Sequence, residues 1–78
     1  MTEGVDYGRK LIRMANQISA SVPDPGRAAE QTANHLRMFW SPAMVDDLAA
    51  AAERDPGRPA PAVLAALSAL RPASAGQP

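Results

Sequence analysis

Apolar side chains recur along this chain at helical spacing in four stretches, each bounded by turn-forming residues. In the first, Leu11, Met14, Ala15, Ile18 and Val22 fall in one stripe, as the inner face of an amphipathic helix requires. Arg9, Arg13, Asn16 and Ala20 fall on the opposite side. The pattern predicts a helix from about Val5 to Ser21. Arg9, Lys10 and Arg13 lie towards its positive end, which is unfavourable, and Asp6 one turn earlier partly offsets them. Val22-Pro23-Asp24-Pro25-Gly26 is a connector in which Asp24 reads as an N-cap and Pro25 as the first helical residue. The second helix is predicted from about Pro25 to Phe39 or Trp40. Its buried stripe is Ala29, Thr32, Ala33, Leu36, Phe39 and Trp40, and Arg27, Asn34 and Met38 project on the polar side. Ser41 is the N-cap of a third helix, with Pro42 at its first position, and Met44, Val45, Leu48, Ala51 and Ala52 share its inner face. Asp55-Pro56-Gly57-Arg58-Pro59 stops that helix near Arg54. A fourth follows from about Ala60 to Arg71, with Val63, Leu64, Leu67 and Leu70 as its stripe. There is no strand-like alternation and no internal repeat. The expected fold is all-α, a small bundle of three to four short helices formed by residues 1–72, with 73–78 as a disordered tail.

The run from His35 to Met44 organises the rest. It contains the only His, Phe and Trp of the chain, and it ends one helix and begins the next. Helical spacing puts Leu36, Phe39 and Trp40 on one face. The core is therefore expected to form around Phe39 and Trp40. For Trp40 a second reading stays open, that it also meets a partner protein.

Composition narrows the function. Of 78 residues only eighteen beyond Met1 are large and apolar, and much of the remaining apolar content is alanine. Alanine favours helix but buries little area, so a domain of this size is expected to be marginally stable unless it docks on something. A net charge of zero argues against nucleic-acid binding. The absence of cysteine excludes disulfides, thiolate metal sites, iron–sulfur clusters and a cysteine nucleophile in this chain. No apolar run reaches membrane-spanning length and none resembles a signal-peptide core, so a cytoplasmic location is expected and no membrane partner.

Catalytic constellations are missing as well. A single His cannot form a His pair for a metal. Glu30, five residues before His35, is poorly placed to orient it as a general base. Ser41 is better explained as a cap than as a nucleophile. The five glycines are scattered and form no phosphate loop. The physics points to a helical interaction module with no catalytic, cofactor-binding or metal-binding residues of its own.

Two stretches carry a family resemblance. Lys10-Leu11-Ile12-Arg13-Met14-Ala15-Asn16-Gln17-Ile18 is similar to the opening motif of the delta subunit of NAD-dependent formate dehydrogenases. His35-Leu36-Arg37-Met38-Phe39-Trp40-Ser41-Pro42-Ala43-Met44 resembles that family's second motif. The resemblance spans roughly Arg9 to Arg71. The chain departs from the usual pattern at Ser41, where an acid is common, at Ala43, where a base is common, and at Ala20-Ser21-Val22, where aromatics are common. The resemblance implies a non-catalytic accessory subunit of a cytoplasmic complex that oxidises formate and reduces NAD. In such complexes the large alpha subunit carries bis-molybdopterin guanine dinucleotide with Mo or W and iron–sulfur clusters. The beta and gamma subunits carry FMN and further clusters. The delta subunit is thought to bind the alpha subunit and support assembly or stability.

Two faces are expected to meet that partner. One is the basic and amide face of the first helix, Arg9, Arg13, Asn16 and Gln17. The other is the end of the second helix, His35, Arg37, Met38 and Trp40, rich in the residue types enriched at interface centres. A transient assembly chaperone for the molybdenum-containing subunit is the alternative. A small helix-turn-helix nucleic-acid binder, resting on Arg9, Lys10 and Arg13, is a more distant one.

Overall fold

A computed structural model describes residues 3–70, with side-chain surroundings from Asp6 onward. Four helices account for most of that span: α1 (Glu3–Ala20), α2 (Ala28–Phe39), α3 (Pro42–Arg54) and α4 (Pro61–Leu70). A single 3₁₀ turn, Pro25–Arg27, leads into α2. No strand occurs among the described residues. The expected all-α bundle is therefore the observed one, in its four-helix form. The expected tail, and the predicted end of the fourth helix at Arg71, lie outside the described residues.

Both predicted caps form. The Asp24 carboxylate accepts from the Gly26 N–H at 2.9 Å and starts the 3₁₀ turn. The Ser41 hydroxyl accepts from the Met44 N–H at 3.2 Å, with Pro42 in the first position of α3. The second helix departs from expectation only at its start. Its first turn, Pro25–Arg27, is 3₁₀ rather than α, a common way to tighten a helix terminus.

The helices pack as two pairs, α1 with α3 and α2 with α4, and α1 also touches α2. α1 and α3 run broadly in the same direction. Gly8 lies against Ala51, and Asn16 further along α1 reaches Arg58 and Ala60 just beyond α3. The centre of the core is Leu11, Ile12, Leu36, Leu48 and Val63, each almost completely buried. Ala15, Trp40, Ala51, Ala52 and Leu67 complete it, and Met14, Ile18, Met44, Val45 and Leu70 pack around its edge.

The buried stripes are rotated from the expected ones. On α1 the buried positions are Gly8, Leu11, Ile12, Ala15 and Ser19, while Met14 and Ile18, and Val22 just beyond the helix, are half-buried. The alanines of α3 approach closely over Gly8 and draw that face inward, towards Ile12. On α4, Ala66 is buried and Leu64 is exposed. A short helix packed on one side gives its inner line to whichever residues face α2, whatever their size. On α2, Ala28 is buried and Ala29 half-buried. Thr32 is fully buried, and its hydroxyl has no hydrogen-bond partner.

The expectation that Phe39 lies in the core is overturned. Phe39 is 69% exposed, whereas Trp40 is 9% exposed. The reason is where α2 ends. Phe39 is its last helical residue, and Trp40 adopts an extended backbone (φ −102°, ψ 144°) with its N–H still bonded to the Leu36 carbonyl at 2.9 Å. That turn carries the indole inward and leaves the phenyl ring on the outside of the corner. Helical spacing cannot describe a pair whose second member is no longer helical.

Asn16, placed by the pattern on the outer face of α1, is half-buried and engaged at both ends of its amide. It donates to the Arg58 carbonyl at 3.1 Å and accepts from the Ala60 N–H at 2.8 Å. One side chain thus ties α1 to the loop between α3 and α4. Asn16→Ala is expected to destabilise the free chain by about 1–3 kcal/mol, because it leaves the Ala60 N–H without its partner. Urea denaturation followed by circular dichroism measures this, and Asn16→Asp, which keeps the acceptor, should cost less than Asn16→Ala.

Candidate partner-docking surface

A concavity lies beside the outer face of α2. It is a groove of about 480 Å³ between the C-terminal end of α1, the connector and α2. Ile18, Val22 and Pro23 supply apolar lining from the α1 side. Asn34, His35, Met38 and Phe39 line it from α2. Met38 is 73% exposed, so two large apolar side chains, Met38 and Phe39, stand adjacent at the surface. Solvated side chains of this size are the kind that a partner buries.

Their positions follow from the backbone below them. His35 and Phe39 are four apart on α2, and their rings meet with centroids 4.8 Å apart and planes inclined at 44°. The contact packs the exposed phenyl ring against the imidazole. Arg37 donates to the Asn34 side-chain carbonyl at 3.0 Å. Arg27, at the far end of the groove, is paired with Glu30 at 3.3 Å. An apolar end and a polar end therefore share one concavity.

The residues expected to meet a partner fall into three groups. His35 and Met38 line the groove, and Arg37 is exposed next to them on α2. Arg9, Arg13 and Gln17 are exposed along α1, on a different side, and Arg9 lines a smaller cleft with Arg54 and Asp55. Asn16 and Trp40 are used internally, for the loop and for the core. Phe39 is the groove residue that the helical pattern assigned elsewhere. The signal that could have found it is Ser41-Pro42, which stops α2 just before Trp40. Ile18 and Val22 were counted as core, and they also form the groove's other wall.

The Asp55 carboxyl is held below the ordinary aspartate range. The cause is the hydrogen bond from the Arg58 guanidinium at 2.6 Å, with weaker attraction from Arg9. No group of three or more His, Asp or Glu side chains that could hold a metal occurs among the described residues. No helix among them is long and apolar enough to cross a membrane.

The family model described as "NADH-dependant formate dehydrogenase delta subunit FdsD" matches residues 10–67. That span includes both motif stretches and almost all of the four-helix bundle. Comparison with curated proteins and with solved structures gave no match.

Proposed function

The chain belongs to the delta-subunit family of NADH-dependent formate dehydrogenases, and from that premise we propose that it is a non-catalytic accessory subunit docking on the large catalytic subunit through the α2 groove. The observation that carries the reading is the adjacent pair Met38 and Phe39, exposed beside an apolar concavity at the end of α2. A thinly packed bundle of this size gains stability by mass action when a partner covers such a face. The partner gains a rigid helical surface, which supports an assembly or stabilising role. Formate oxidation and NAD reduction then belong to the other subunits. On this reading the alpha subunit holds the molybdenum or tungsten centre with iron–sulfur clusters, and beta and gamma hold FMN and further clusters. The complex works in the cytoplasm.

The test is co-purification of the tagged chain with the enzyme from its native host. Stoichiometric recovery with active, metal-loaded complex is expected. The Met38→Ala/Phe39→Ala variant should keep the helicity of the free chain and lose most of that recovery. Complex that still forms should keep its rate per bound metal. Normal recovery of the double variant would overturn the docking face. Recovery of the wild type only with cofactor-free large subunit would replace the accessory subunit with an assembly chaperone.

A further inference from the structure

We propose that the cleft between Arg9 on α1 and Arg54 on α3 receives a carboxylate side chain of the partner subunit, at a second contact separate from the α2 groove. The proposal rests on the docking role above. The cleft has a volume of about 150 Å³ and is floored by Ile12 and Ala51, both buried. The packing of α1 on α3 brings its two cations to one cleft. An Arg54 guanidinium nitrogen lies 3.2 Å from where a Cβ on Gly8 would stand, so this side chain lies against the α1 backbone at Gly8. Arg9 is on the next residue, and Asp55 closes one end.

The local charges do not balance. The Asp55 carboxylate is taken up by Arg58 at 2.6 Å, and Arg9 adds only a weaker attraction. Neither Arg9 nor Arg54 forms an ion pair among the described residues. The cleft is thus lined by two arginines and one carboxylate, and that carboxylate is already engaged by Arg58, in a chain whose net charge is zero. An apolar floor beneath two unpaired guanidinium groups strengthens their field towards an incoming anion.

The shape and charge select the occupant. Planar guanidinium forks match a carboxylate in bidentate geometry. The cleft admits one small head group, and the Asp55 carboxylate at its end repels a polyanion such as a nucleic-acid backbone. A free monocarboxylate would be held weakly, since solvent and salt screen exposed arginines. A carboxylate carried by a protein already seated on the α2 groove arrives at high effective concentration. An Asp or Glu side chain of that partner is therefore the occupant.

The experiment follows retention of the chain in the assembled complex as sodium chloride is raised. Arg9→Gln/Arg54→Gln should weaken retention at least about tenfold at moderate salt and flatten its salt dependence. Lys10→Gln removes a positive charge from α1 outside the cleft and should change retention far less than Arg9→Gln does. Arg9→Lys/Arg54→Lys should fall between the wild type and the glutamine variant, because lysine keeps the charge and loses the fork. Wild-type retention of Arg9→Gln/Arg54→Gln would overturn the cleft, as would an equal effect of Lys10→Gln and Arg9→Gln, which would mean diffuse attraction. If Met38→Ala/Phe39→Ala is lost from the complex while Arg9→Gln/Arg54→Gln is retained, the cleft is wrong and the docking reading stands. If the wild type itself is not retained, both fall.

Discussion

Trp40→Ala is expected to destabilise the free chain by about 3–5 kcal/mol, the usual cost of removing a buried tryptophan. Domains of this size commonly have little more stability than that, so most of the variant should be unfolded at room temperature. The indole is 9% exposed and belongs to the same cluster as Leu11, Leu36 and Leu48. It also anchors the corner, because the Trp40 N–H closes the last turn of α2 on Leu36. Phe39→Ala is the matched control. The phenyl ring is the neighbouring residue and of similar chemistry, but it is 69% exposed, and its loss should shift stability by no more than about 0.5 kcal/mol. His35→Ala, which removes the ring contact to Phe39 at an exposed position, should behave like Phe39→Ala. Urea denaturation of the three variants gives the comparison. Similar midpoints for Trp40→Ala and Phe39→Ala would show that the corner does not hold the fold together.

Gly8→Ala is expected to destabilise the chain although it improves helix propensity. In an isolated helix the change would favour folding by about 1 kcal/mol. Here a Cβ on Gly8 would stand 2.9 Å from the Cβ of Ala51. Neither methyl group can rotate away, so α1 and α3 must move apart along their shared face. Overpacking of this kind typically costs about 1–3 kcal/mol, which leaves a net loss of up to about 2 kcal/mol after the propensity gain. Gly8→Val adds two methyl groups at the same point and should cost more. A double-mutant cycle with Ala51→Gly separates the two contributions. If the clash is the cause, the second replacement should restore part of what Gly8→Ala removed, with a coupling of about 0.5 kcal/mol or more. Additive effects would mean that the helices do not meet there. Separation of α1 from α3 would also spread Arg9 and Arg54, so Gly8→Val should weaken the salt-sensitive part of complex retention as well.

Much of this protein is written locally in its chain. Asp24 and Ser41 are positioned to accept from the free N–H groups at their helix starts, and both do so. The prolines that follow them cannot extend a preceding helix, and Asp55-Pro56-Gly57 ends the third. Such signals act over a few residues, so the helix count and nearly every boundary could be read without a fold. The two motif stretches also identified the family, since they lie in the span that its model matches. What periodicity left undecided was which side of each helix meets a neighbour, and how far along. Ile12 rather than Met14 lies at the centre of the core because α3 approaches α1 over Gly8, a contact 43 residues away in the chain, from 8 to 51. Asn16 has its amide turned to a loop more than 40 residues further on, with separations of 42 and 44. Phe39 and Trp40 part because the chain leaves helical geometry between them. The free guanidinium groups of Arg9 and Arg54 come together only when α1 and α3 pack side by side. Helix formation depends on bonds between residues three and four apart, which the sequence displays directly. Burial depends on which surfaces of separate helices exclude water together, and that is settled only when all four are in place.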